Sequence, residues 1–269
     1  MFAKIKHLAI VSQNYAMEAK FFQALFGMKV AESQRPEQRA MVVSDGYVGM
    51  NINGRAPGRQ AGLDHFGFEV EDVEVVFAKL RENYPDIEVL KRPGNRPFAG
   101  ISLHDPAGNV FDLSQRGMEN RRDVYEDGGP VNEKRYIKHF ALRTVDPTKL
   151  TRFYREVLQL LEMEKPADDP NSYLTDGRVT LVVCPWKISD FNGSGIERPA
   201  LDHIGFKVEN LEAFKADLDA LVKKNPSLMP APLGLGPEGE VRKNLLSQCK
   251  LGKFHLSDLD GVLLDVAEN

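Results

Sequence analysis

The stretch Leu63-Asp64-His65-Phe66-Gly67-Phe68-Glu69-Val70-Glu71 returns 138 residues later as Leu201-Asp202-His203-Ile204-Gly205-Phe206-Lys207-Val208-Glu209. Two further pairs frame it. Upstream, Ile5-Lys6-His7-Leu8-Ala9 is matched by Ile137-Lys138-His139-Phe140-Ala141; downstream, Asp105-Pro106-Ala107-Gly108-Asn109-Val110-Phe111-Asp112 is matched by the segment from Asp258 to Asp265. Each copy therefore places a His, a second His and an Asp at matching points. The candidate metal ligands are His7, His65 and Asp112 in the first copy, and His139, His203 and Asp265 in the second. A repeat of this length implies two domains of one fold, and these residue types make it bear on chemistry as well.

The repeat offset grows from 132 residues at the first His to 153 at the Asp, so the second copy carries insertions. The largest falls between Asn225 and Lys250, where Pro and Gly are frequent and an extended loop is expected. Between the copies, the charged segment from Arg116 to Arg135 contains Gly128-Gly129-Pro130. The expected division is a first domain over 1–118, a linker over 119–134 and a second domain over 135–269.

A smaller alternation runs inside each copy. Strand patterns near Ile5–Val11, Arg39–Val43 and Tyr47–Ile52 enclose a helical pattern near Ala16–Phe26. The plan restarts with a strand at His65–Val70, a helix at Val73–Tyr84 and strands near Glu88–Leu90, Ile101–His104 and Val110–Ser114. The second copy runs the same course, with helices near Thr148–Leu160 and Leu211–Lys224. The expected fold is α+β, with each domain a pair of βαβββ units. Phe21, Phe22 and Leu25, like Phe153, Tyr154 and Val157, recur at helical spacing and read as a face packed on a sheet.

Strand alternation gives the ligands a direction. Phe66, Phe68 and Val70 share one face, and His65, Gly67 and Glu69 take the other. Leu8 and Ile10 oppose His7, and Phe111 and Leu113 oppose Asp112. All three candidate ligands thus project away from the helices, and a curved sheet would gather them in its concavity. Two imidazoles and a carboxylate on one side of a cation are the facial triad suited to Fe(II), and Mn(II), Ni(II) or Zn(II) are open alternatives. Three further residues are candidates for catalysis. His255 shares the parity of Asp265 and would serve as a proton donor or acceptor. His104 stands beside Asp105-Pro106, either as a turn residue or as a substrate contact. Tyr47, like Arg178, follows an Asp-Gly turn, where it either steadies the hairpin end or meets an anionic substrate.

These residues resemble the vicinal oxygen chelate superfamily, which contains glyoxalase I, extradiol ring-cleaving dioxygenases, methylmalonyl-CoA epimerase and the fosfomycin- and bleomycin-resistance proteins. The carriers are Ile5-Lys6-His7-Leu8-Ala9, Phe21-Phe22, Phe26-Gly27-Met28, His65-Phe66-Gly67-Phe68 and Asp105-Pro106-Ala107-Gly108-Asn109, and the resemblance spans nearly the whole chain. It implies two tandem glyoxalase-like domains, each an open curved sheet around a cleft, with metal bound by the first His, the second His and a last-strand carboxylate. Both copies depart from the family in having Asp where Glu is usual. The fourth ligand, Glu or Gln, that glyoxalase I and the epimerase add before the second His has no counterpart in Tyr47–Asn53 or Val179–Trp186. The additional His of extradiol enzymes is missing between His139 and His203. The resemblance implies a metal-dependent enzyme for a small oxygenated substrate, with Fe(II)-dependent dioxygenation first. A glyoxalase-type lyase or isomerase and a metal-free binder of aromatic molecules remain open.

Composition bounds the rest. With 42% hydrophobic and 28% charged residues the chain is an ordinary globular mixture, and a net charge of −4 offers no basic field for nucleic acid. No apolar run suits a membrane span. Cys184 and Cys249 form neither a disulfide framework nor a zinc-ribbon spacing, and Cys184 reads as a small core residue. The chain passes from Met1 straight into a strand pattern, so a cytoplasmic setting is expected. The expected partner is a small-molecule substrate, and pairing into a homodimer through the open sheets is an alternative already met within one chain by the duplication.

Overall fold

The computed structural model describes residues 1–31, 39–92, 98, 100–115, 132–194, 196, 198–234 and 236–269. The linker expected over 119–134 falls, up to residue 131, outside them.

The first domain runs β1 (Ala3–Ser12), α1 (Tyr15–Phe26), β2 (Lys29–Val30), β3 (Ala40–Ser44) and β4 (Gly49–Gly54). It continues with β5 (Gly62–Val70), α2 (Val73–Asn83), β6 (Val89–Lys91), β7 (Ile101–His104) and β8 (Val110–Gln115). The second runs β9 (Tyr136–Thr144), α3 (Pro147–Val157), β10 (Leu161–Glu162), β11 (Ser172–Thr175), β12 (Thr180–Pro185) and α4 (Ile188–Ser194). It ends with β13 (Leu201–Val208), α5 (Leu211–Lys224), α6 (Gly236–Leu246), β14 (Phe254–Ser257) and β15 (Leu263–Glu268). Two sheets result, in the orders β2-β3-β4-β1-β5-β8-β7-β6 and β10-β11-β12-β9-β13-β15-β14. In each, the two βαβββ-type units meet at an antiparallel seam, β1 with β5 and β9 with β13. The fold is the α+β pair of tandem domains that the sequence implies.

The turns into α1, α3 and α5 each end on an acceptor side chain that caps the helix. Asn14 accepts from Met17 N at 3.2 Å, Asp146 from Lys149 N at 2.9 Å and Asn210 from Ala213 N at 2.8 Å. Pro147 opens α3 at a position where its missing N–H costs nothing. The helices then bury the predicted faces: Phe21, Phe22 and Leu25, and likewise Phe153, Tyr154 and Val157, are inside the core.

That core is common to both domains. Helix α1 packs on α5, where Phe26 stacks on Phe206 with centroids 3.9 Å apart and lies 5.4 Å from Phe214. Helix α3 packs on α2 through an edge contact of Phe153 with Tyr84, and Phe66 meets Phe140 across the sheets at 5.0 Å. Two buried aspartates tie the halves reciprocally. Asp45, in the β3–β4 turn, accepts from Tyr47 N and Val48 N of its own turn and from Ile137 N of β9 at 2.8 Å. Asp176, in the β11–β12 turn, accepts from Arg178 N, Val179 N and, at 2.7 Å, Ile5 N of β1. Tyr47 donates to the same Asp176 at 3.0 Å, with Lys6 Nζ 4.4 Å and Arg178 4.6 Å from its ring centroid. The structure thus puts Tyr47, a candidate for catalysis or for steadying the hairpin end, at the domain contact: the Asp-Gly turn aims it at the other domain.

The segment after α5 also departs from expectation. Where the first domain makes edge strand β6, the second makes a short 3-10 turn at Pro226–Leu228 and then helix α6. The Pro and Gly residues that suggested a loop stop before Glu240-Val241-Arg242-Lys243-Asn244-Leu245-Leu246, a run of mostly good helix formers. No helix among the described residues is long and apolar enough to cross a membrane.

Glu18 of α1 is wholly buried beside Asp258 and Asp260 of the β14–β15 turn. Burial, with those two neighbouring charges adding, holds its carboxyl far above the usual 4.5. A carboxyl raised on folding supports the fold at low pH, where both states are protonated, and loses that support as pH rises and the unfolded chain ionises. Urea midpoints measured from pH 5 to pH 9 are therefore expected to fall with pH in the native chain. In Glu18→Gln the fall flattens, with a gain of about 1–3 kcal/mol at the alkaline end.

Candidate metal centres

The seam between the two units of each sheet carries one extra residue on each strand. In the first domain Ile5 pairs Phe68 and His7 pairs Gly67, which leaves Lys6 extra; Ala9 pairs His65 and Ile10 pairs Leu63, which leaves Asp64 extra. The second domain repeats this, with Lys138 and Asp202 as the extra residues. A bulge breaks the alternation of faces. It turns an Asp and the His that follows it toward the same side, where strict alternation would part them.

The consequence is a carboxylate seated on each second His. Asp64 Oδ2 is 2.7 Å from His65 Nδ1, and Asp202 Oδ2 is 2.8 Å from His203 Nδ1. An ionised carboxylate only accepts, so Nδ1 donates, and Nε2 is the ring atom that a cation on the concave face would take. Arg59 bonds Asp64, and Arg143 Nε bonds Asp202 at 2.7 Å.

The first His of each copy reaches the same point because nothing stands opposite it. A Cβ on Gly205 would fall 1.8 Å from a ring carbon of His139. A Cβ on Gly67 would fall 2.7 Å from the Phe98 ring and 3.1 Å from His7 Cβ. The glycine of the repeated Asp-His-x-Gly-Phe motif thus leaves room for the His139 ring in the second copy and for the Phe98 ring beside His7 in the first.

In the first domain His7 Nε2 lies 3.2 Å from His65 Nε2, which lies 3.4 Å from Asp112 Oδ2. Ligands sharing one cation at ~2.1 Å are separated by roughly 3.0–3.4 Å, which is the spacing found. Ser102, the cross-strand neighbour of Asp112, donates to Oδ1 and leaves Oδ2 facing the imidazoles. Phe98 stacks on His7 with centroids 4.9 Å apart. Burial, then the neighbouring His65 charge, pushes His7 down to about 3; burial opposes protonation of His65 too, yet the Asp112 and Asp64 carboxylates push it up to about 9.

In the second domain His139 Nε2 is 3.2 Å from Asp265 Oδ2, and His255, the cross-strand neighbour of Asp265, places Nε2 3.1 Å from Oδ1. Alternation predicted the facing of His255. The repeated motifs gave no sign of a fourth donor, Cys249, whose Sγ lies 3.8 Å from His139 Nε2. One ligand atom from each of His139, His203, Cys249 and Asp265 falls within 4.8 Å of every other, as do those of His7, His65 and Asp112. The only sequence signal for Cys249 was an unassigned cysteine at the end of the inserted segment. His104 shares the face of Asp112, two residues along its neighbouring strand, with Nδ1 2.9 Å from the Asp105 carbonyl oxygen.

Residues 4–113 match the family described as the Glyoxalase/Bleomycin resistance protein/Dioxygenase superfamily. No curated protein matches the chain in sequence. Among solved structures, the Mn(II)-bound glyoxalase of Novosphingobium aromaticivorans is similar over 98% of this chain and 81% of its own, at TM-score 0.65 and 14% identity. The 2,3-dioxygenase LapB of Pseudomonas sp. KL28 is similar over 99% and 92%, at TM-score 0.65 and 14% identity. The 2,2',3-trihydroxybiphenyl 1,2-dioxygenase of Sphingomonas wittichii strain RW1 is similar over 100% and 91%, at TM-score 0.66 and 12% identity. These likenesses establish a common fold.

Because a Cβ at residue 205 collides with the His139 ring, Gly205→Ala is expected to lose metal from the second centre while the first keeps its own. Metal analysis after loading and desalting should show one fewer equivalent per chain; an unchanged count would refute the steric account.

Proposed function

We propose that this chain, whose residues 4–113 match the Glyoxalase/Bleomycin resistance protein/Dioxygenase superfamily and whose second domain repeats that fold, is a metal-dependent enzyme acting at the His7, His65 and Asp112 centre on a small molecule with neighbouring oxygen atoms. Fe(II)-dependent dioxygenation of a catechol-like substrate is the first reading. The observation that carries it is access. The side chains of His65 and Asp112 are 12% and 11% exposed, whereas His203 and Asp265 of the second centre are at 0%. Three donors on one side leave the other side for substrate.

A divalent metal held there would supply Lewis acidity and open positions for two substrate oxygens. The chain's own residues do the rest. Asp64 fixes the ring of His65, Ser102 fixes the carboxylate of Asp112, and Phe98 closes one wall over His7. Asn51, paired with Ala9 and so on the face of His7, has a buried Oδ1 with no hydrogen-bond partner among the described residues, ready to accept from a substrate hydroxyl. His104, donating from Nδ1 to the Asp105 carbonyl, keeps Nε2 as the base that would take a proton from the substrate.

The second reading, a lyase or isomerase, draws on the likeness to the Mn(II)-bound glyoxalase. It needs the same centre and the same base but no oxygen. The two part under argon: an oxygenase stops and consumes O₂ in air, whereas a lyase or isomerase continues.

For either reading, His65→Ala is expected to abolish turnover of an active substrate, and Asp64→Asn to weaken metal binding at the first centre by about 10–100-fold. Titration of metal into the apo variants, with turnover measured on catechols and 2-hydroxycarbonyl compounds, checks both. Full activity in His65→Ala would remove the proposal.

A further inference from the structure

The second centre differs from the first in what closes it. Between α5 and β14 the chain inserts the segment that ends in α6, and its last turn delivers Cys249, whose amide bonds the Leu246 carbonyl at 3.0 Å. Asn171 Nδ2 donates to the Gln248 carbonyl at 3.0 Å and pins this turn to the sheet. Gly252, three residues on, lies so close to Asp265 that a Cβ there would fall 1.5 Å from Oδ1. The insertion thus covers the cleft with its own backbone, and Cys249 packs among Ala141, Tyr173, Val182 and Cys184.

Under that cover the donor atoms of the second centre converge. His203 Nε2 is buried and has no hydrogen-bond partner among the described residues, and the two buried oxygens of Asp265 face His139 Nε2 at 3.2 Å and His255 Nε2 at 3.1 Å without a well-aligned hydrogen bond. His139, His203, Cys249 and Asp265 are 1%, 0%, 2% and 0% exposed. Buried polar atoms without a good partner are expensive, and one cation would satisfy His203 and Asp265 together with the adjoining His139 and Cys249, whose ligand atoms all lie within 4.8 Å of one another. Nitrogen, oxygen and thiolate sulfur in a four-donor cage suit Zn(II), which has no geometric demand of its own and accepts all three. We propose that the second centre is a closed Zn(II) site with Cys249 as its fourth ligand, held for stability, while the first stays open for chemistry. His255 then steadies Asp265 from outside the ligand set, and metal binding releases the Cys249 thiol proton to solvent. The assignment rests on the donors of the second centre alone and stands whatever reaction the first performs.

The test uses the full chain with the first centre disabled by His65→Ala. Loaded with Co(II) as a spectroscopic substitute for zinc, this protein should show a near-ultraviolet thiolate-to-cobalt charge-transfer band at one equivalent. The band should vanish when Cys249→Ser is added, and zinc affinity should fall by more than the roughly 100-fold that an orienting partner is worth. A band that survives Cys249→Ser, or cobalt bound without a band while Cys249 is present, overturns the proposal. Should Cys249→Ser fail to fold, X-ray absorption of the zinc-loaded His65→Ala chain decides: one sulfur at ~2.3 Å supports the site, and nitrogen and oxygen alone refute it.

Discussion

Two imidazoles on adjoining antiparallel strands have to point their Nε2 atoms at one spot, and most of what is repeated in this chain serves that demand. Neighbouring strands stand about 4.8 Å apart, so the two rings share their space only if the position facing the first His is bare. Gly67 and Gly205 meet that condition. The second ring must also be held against rotation, which needs an acceptor on its own side of the sheet. The bulges at Asp64 and Asp202 supply it by setting consecutive residues on one face. Glycine, bulge and Asp-His dipeptide are therefore one device, and the carboxylate from β8 or β15 completes it across a parallel pairing.

This device costs the sheet some regularity, and the shared core offsets the cost. The helices lie on the face opposite the ligands and fill the space between the two sheets with aromatic contacts. Each domain's first helix packs on the other domain's second, and the buried Asp45 and Asp176 hold the first strand of the opposite domain by its backbone. The strands that carry His7 and His139 are thus gripped from behind by the neighbouring domain. A duplicated chain can in this way support two centres, each looking outward, on a single hydrophobic interior.

Alternation of faces was enough to put the three candidate ligands of each copy on one side, because His7, His65 and Asp112 each lie on a strand whose other face is plainly apolar. It was not enough for Asp64 or Asp202. A count by twos puts them with Phe66 and Ile204, on the core side, and only the bulge reverses them. Lys6 escapes the count for the same reason and ends beside Tyr47 at the domain contact. Cys249 was illegible on different grounds. It belongs to no repeat, and its approach to His139 follows from where α6 ends, a tertiary fact that the Pro- and Gly-rich composition before it concealed. What the sequence repeats was readable from one chain, and what one copy added was not.

The addition matters for how the halves divide their work. Identical ligand triads would bind similar cations, so any difference in role has to come from the fourth group and from access. In the first domain the segment before β7 brings Phe98, which walls the site without donating to it. In the second, the longer segment before β14 brings a sulfur and seals the cleft behind it. A soft donor and exclusion of water favour a cation that stays, whereas hard donors with an open side favour one that exchanges its remaining ligands. One insertion in a surface connection, at little thermodynamic cost to the fold, is thus sufficient to give two matching triads a different fourth group and different access.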